Sequence, residues 1–124
     1  MAACAVTLGV AGAILIFAPD WALLNLGIDS SSTSLLLAQV MGGLYFGFGI
    51  VNWMAKHNLI GGIYNRPLAL GNFTHFFIVG LSVVKALISN PELPKTIWVA
   101  GAMYIIFGLL FLVILFRHPV KAAD

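Results

Sequence analysis

The chain predicts an all-α integral membrane protein, a four-helix bundle running up-down-up-down with a short interfacial helix after the first span, and three features point there. Apolar runs take up most of its 124 residues, and each is close to the roughly 20 residues that an α-helix needs to cross a hydrocarbon core about 30 Å thick. Nearly every Lys, Arg, Asp and Glu falls between or beyond those runs. Hydrophobic residues make up 61% and charged residues 8% of the chain, against roughly 45–50% and 25% in a soluble domain. The mean hydropathy is +1.05. A chain of this length forms one domain and has no room for a separate soluble catalytic one, so any chemistry sits within the bundle or its loops.

The first span is expected at 3–18. No basic residue precedes it and no small-residue cleavage site is well placed, so it reads as a retained span rather than a removable signal. Pro19 and Asp20 mark a helix restart, because Pro fits a first helical turn and Asp favours its positive end. The stretch from Pro19 to Ile28 alternates Trp21, Leu23, Leu24, Leu26 and Ile28 with Asp20, Asn25 and Gly27. It is expected to lie at the interface or cap the bundle, with Trp21 in the aromatic belt. Asp29 to Ser34 is the first true loop, where Ser31, Ser32 or Thr33 can cap the second span, 34–55.

A loop HNLIGGIYNRP follows, with Gly61 and Gly62 free in backbone angle and Pro67 disfavouring helix at Arg66 before opening the third span at 67–88. Asn90, Pro91, Glu92 and Pro94 make a short turn, and the fourth span occupies 94–116. Short cytoplasmic loops hold an excess of Lys and Arg. Lys56, Arg66, Arg117 and Lys121 share one side of a four-span arrangement. The other side holds Lys95, Lys85 and the acids Asp20, Asp29 and Glu92. Both termini are therefore expected in the cytoplasm.

An internal repeat relates the second and fourth spans. Gly42, Tyr45, Phe48 and Gly49 recur as Gly101, Tyr104, Phe107 and Gly108, the same G-x-x-Y-x-x-F-G spacing 59 positions later. Two helical hairpins with related second helices would form a parallel pseudo-repeat. The alternative is coincidence among abundant Gly, Phe and Tyr. Under either reading small residues share one face, and Gly43 with Gly47 adds a GxxxG element that lets backbones approach closely. Gly42, Gly43, Gly47, Gly49, Gly101 and Gly108 are the expected helix-packing residues.

Polar residues within spans are expensive and therefore informative. Asn52 falls about one turn from Lys56, and Asn72 and His75 about two turns from Arg66, which sets all three at a depth near the cytoplasmic side; Asn72 and His75 share a helical face at i, i+3. With Tyr64 and Arg66 above them, they form a candidate polar pocket open to the cytoplasm. Two readings of His75 stand. It binds a haem, metal or quinone oxygen or shuttles a proton, since imidazole both donates and accepts near neutral pH. Otherwise it is a neutral residue hydrogen-bonding to Asn52 or a backbone carbonyl to hold two helices together. A bis-histidine haem has only His57 as a second ligand, at a mismatched depth. Gln39 is expected to satisfy a backbone group across a seam, Lys85 to snorkel, and Tyr45 and Tyr104 to pack.

Several classes are excluded. The net charge of +2 is scattered, with no run of Lys and Arg of the kind that nucleic-acid or anionic-lipid binding would need. Cys4 is the only cysteine, which removes internal disulfides and thiolate metal sites. No Asp or Glu falls within a span to couple ion exchange, and no phosphate loop, HExxH or Ser, His and acid arrangement is present. No catalytic residue and no metal site is assigned.

The Pro19 and Leu26–Asp29 stretch, followed by AQVMGGLYFGFGIVNWMAK opening the second span, resembles the small bacterial DoxX-like membrane proteins over most of the chain. That resemblance implies a four-span fold and an association with quinone-linked oxidoreductases, often as an accessory membrane subunit. It carries no catalytic motif. The leading expectation is thus a structural or accessory subunit of a bacterial inner membrane, partnered by the lipid bilayer and packing as a homo-oligomer or into a larger complex. The alternatives are a quinone- or haem-linked redox subunit at Asn52, Asn72 and His75, and an oligomeric conduit for a small neutral or anionic solute lined by Arg66, His75 and Tyr64.

Overall fold

A computed structural model describes residues 1–57 and 65–116. Among these, all regular structure is helical: α1 (Ala2–Phe17), α2 (Pro19–Asn25), α3 (Ser32–Met54) with a 3-10 turn at Ala55–His57, α4 (Arg66–Ser89) and α5 (Lys95–Phe116). The chain divides into two compact units, Met1–Lys56 and His57–Asp124. Each is a helical hairpin.

In the first hairpin, α1 packs along α3 and α2 turns away from α1 by 109°. Pro19 opens α2 and Asp20 lies in its first turn, as the restart signal requires. The helix ends on Gly27, whose φ of 71° lets Ile28 N–H reach the Leu23 carbonyl and Gly27 N–H reach that of Leu24. This is a Schellman closure, which needs a left-handed residue after the cap. The first turn of α3 is held by a reciprocal serine cap. Ser31 Oγ accepts from Ser34 N–H at 3.1 Å, and Ser34 Oγ accepts from Ser31 N–H at 2.8 Å. These bonds satisfy backbone donors that a helix start otherwise leaves open.

Three helices are long and apolar enough to cross a membrane: α3 with its terminal turn, α4 and α5. Among the described residues, the expected first span, 3–18, does not by itself reach that length. With 16 residues, α1 extends about 24 Å, short of a hydrocarbon core of about 30 Å. Only by joining it to the sharply bent α2 does a fourth candidate arise. Arg66 also enters α4, although Pro67 follows it.

The α1–α3 seam is made by the absence of side chains. A Cβ on Gly12 would lie 2.6–2.9 Å from the backbone of Phe46 and Gly42, and one on Gly49 would lie 2.9–3.0 Å from Gly9 N and the Ala5 carbonyl. Gly42 in turn meets Gly12, Leu15 and Ile16. Gly43 and Gly47, expected among the packing residues, stand elsewhere: a Cβ on either meets nothing within 4 Å among the described residues. Positions 42 and 49 are seven apart, two helical turns, so they share a face. Positions 43 and 47 are rotated off it by the helical period.

The second hairpin repeats this register with different filling. Gly101 faces Val83 and Leu87, and Gly108 faces the Phe76–Phe77 backbone, as Gly42 and Gly49 face two levels of α1. Here the rings of Tyr104, Phe107 and Phe111 close on Phe76 at centroid distances of 5.4, 5.0 and 5.9 Å. Phe76 is fully buried. The G-x-x-Y-x-x-F-G spacing thus occupies equivalent hairpin seams in both units. The joining segments differ, residues 18–31 including α2 in the first and 90–94 in the second.

Candidate functional site

The polar residues inside the spans first meet the cost of burial. Asn52 and Asn72 are both 0% exposed, and each amide donates to the carbonyl four residues earlier, Phe48 at 3.0 Å and Leu68 at 2.9 Å. Thr7 and Ser82 do the same to Ala3 and Ile78. Bonds of this kind satisfy a donor within its own helix, where lipid offers no substitute. Gln39 instead reaches across the α1–α3 seam, its Nε2 3.5 Å from the Ile16 carbonyl. That carbonyl belongs to the last turn of α1, which has no partner further along its own helix.

His75 projects from α4 one turn beyond Asn72. Its ring lies 5.1 Å from Phe76 and 5.6 Å from Tyr104 on α5, and Phe76 and Tyr104 are themselves 5.4 Å apart. The second hairpin therefore seats the imidazole against two aromatic rings, with the Asn72 amide on the same side of α4. Tyr104 is 6% exposed, which fits the packing role expected of it. Arg66 is exposed at the start of α4, and Lys85 is exposed nearer its end. Among the expected pocket residues, Asn72, His75 and Arg66 thus share α4. Asn52 belongs to the first hairpin, and Tyr64 lies outside the described residues.

Chemically, this is an imidazole in an aromatic setting. The acid described in the second hairpin is Glu92, exposed in the turn between α4 and α5. No group of three His, Cys, Asp or Glu that could hold a metal ion occurs among the described residues. The repeat isolates one position. Phe111 occupies in α5 the place that Asn52 occupies in α3, and both are buried. An apolar ring fills that place in one hairpin, so the hairpin architecture does not itself demand an amide in the other.

Two features of the first hairpin were not identified in the sequence. Lys56 Nζ stands 3.1 Å over the Trp53 ring, a cation–π pair that the W-x-x-K spacing could have signalled, since i and i+3 share a face. An apolar groove of about 180 Å³ also opens between α1 and α3, lined by Ala5, Val6, Gly9, Phe46, Gly49, Ile50 and Trp53. It had no sequence signal, because it depends on how two helices pair. Compared with known families, characterised proteins and solved structures, the chain matches none.

Proposed function

We propose that this protein is a small structural or accessory subunit of a bacterial inner membrane that packs against itself or a larger membrane complex. The observation that carries this reading is the division among the α3 glycines. Gly42 and Gly49 are consumed by the α1 seam, whereas Gly43 and Gly47 keep GxxxG spacing with open space beyond each. A small-residue strip on an outer face admits a second helix at close range, and close packing is what drives helix association in lipid. The likeness to DoxX-like proteins agrees with an accessory role beside a quinone-linked oxidoreductase.

The same open space makes the reading testable. Leu at both Gly43 and Gly47 should leave the α1–α3 hairpin intact, because a Cβ at either position meets nothing within 4 Å among the described residues. The double variant should therefore keep its helical content and lose its assembled mass in a gentle detergent. An assembled mass equal to that of the unaltered protein rejects the interface.

In this reading α1 is a short first span antiparallel to α3, α2 lies at the interface, and Lys56 and Arg66 face the cytoplasm under the positive-inside rule. Reporters placed before Met1 and after Asp124 should then both be cytoplasmic. A reporter before Met1 found outside would leave three spans and remove α1 from the bundle.

A further inference from the structure

We infer that the groove between α1 and α3 is a binding site for an anionic phospholipid, which lays one acyl chain along the groove and sets its phosphate against Lys56.

The groove exists because Gly9 and Gly49 bring no side chains to the place where the two helices meet. Val6, Phe46, Ile50 and Trp53 stand around that gap and give it apolar walls. Such a lining excludes a headgroup, whose polar atoms would be buried without partners. It accepts a hydrocarbon chain. Open space lies above Gly9, where a Cβ would meet nothing within 4 Å.

Charge selects the lipid class. Trp53 closes one end of the groove near the C-terminal end of α3, with its indole half-exposed. Lys56 follows one turn later with its ammonium held over that indole. Indole and lysine at the end of an apolar helix are the pair that sits at headgroup level. The ammonium is thereby held against a ring that itself lines the groove. A chain lying in the groove therefore presents its headgroup to a cation, and a phosphate carrying net negative charge fits where a zwitterionic headgroup brings its own cation. A neutral isoprenoid tail would fill the groove and leave Lys56 without a counter-charge.

The test equilibrates the purified protein with vesicles of equal phosphatidylglycerol and phosphatidylcholine and reads retained lipid by native mass spectrometry. The unaltered protein should retain phosphatidylglycerol at least about fivefold over phosphatidylcholine, a preference of roughly 1 kcal/mol by the standard conversion. Lys56→Gln should reduce that ratio to about one, whereas Lys95→Gln in the other hairpin should leave it intact. Gly9→Leu fills the groove from a position with open space and should lose retained lipid of both kinds. Val6→Trp, from the groove wall, serves as a second plug. Circular dichroism identifies any variant that has lost its helices, and the remaining plug then decides. Equal retention of the two lipids by the unaltered protein overturns the proposal. So does a preference that survives Lys56→Gln, or lipid retained in full by a folded plug variant.

Discussion

Replacing Gly12 with Val should destabilise the first hairpin by about 3 kcal/mol, the upper part of the range for overpacking a tight contact. The new Cβ would begin 2.6 Å from Phe46 N and 2.7 Å from the Gly42 carbonyl. Both are backbone atoms of α3, so no rotamer change relieves the clash. The helices must separate, and separation opens Gly49 from Ala5 and Gly9 as well. Far-UV circular dichroism during titration with a denaturing detergent should show the loss. Gly43→Val is the matched comparison, with the same helical context but open space around the new side chain, and should shift the midpoint little. Equal midpoints for the two variants would reject the α1–α3 seam.

The second large effect belongs to the other hairpin. Phe76→Ala should cost about 3 kcal/mol, the low end for removing a buried aromatic ring. Transfer from water contributes little to association within lipid, which leaves packing and the residual cavity as the main terms. The ring touches Tyr104, Phe107 and Phe111 across the seam, so its loss strips contact from three levels of α5. The measurement follows Trp98 fluorescence in a background where Trp21 and Trp53 are Phe, which confines the signal to the second hairpin. Phe77→Ala, at a ring 48% exposed, should cost far less. A Phe76 cost no larger than that of Phe77 would show that the aromatic cluster does not hold α4 to α5.

The helices themselves were legible in the sequence to within a residue or two at most ends, because span length and the position of charge are properties of the chain against a bilayer. Turn chemistry was legible for the same local reason: Pro19 restarts a helix, and a serine among residues 31–33 caps the next. The seam glycines were only partly so. Six were named from spacing, but spacing alone does not say which side of a helix meets a neighbour. Gly43 and Gly47 proved to lie off the hairpin seam, and Gly12, which makes the tightest contact, was missed because α1 has no repeat to mark it. In the candidate pocket, Asn72 and His75 were placed on a common face by their i, i+3 spacing. The ring of Tyr104 beside His75 depends on the register of α5 against α4, which composition cannot supply.

The sequence by itself determined the class of this protein: helices long and apolar enough for a membrane, their approximate ends, the recurring G-x-x-Y-x-x-F-G spacing, and the absence of Asp and Glu from the spans. Each follows from local pattern read against the thickness of a bilayer. Only the tertiary structure decided that α2 bends away from α1 by 109°. It alone distinguished the glycines that join α1 to α3 from those that lie off that seam, and it revealed the groove lined at one end by Trp53. These depend on which atoms of two separate helices meet. That is set by the rotation and register of one helix against another, to which an apolar sequence contributes many nearly equivalent faces.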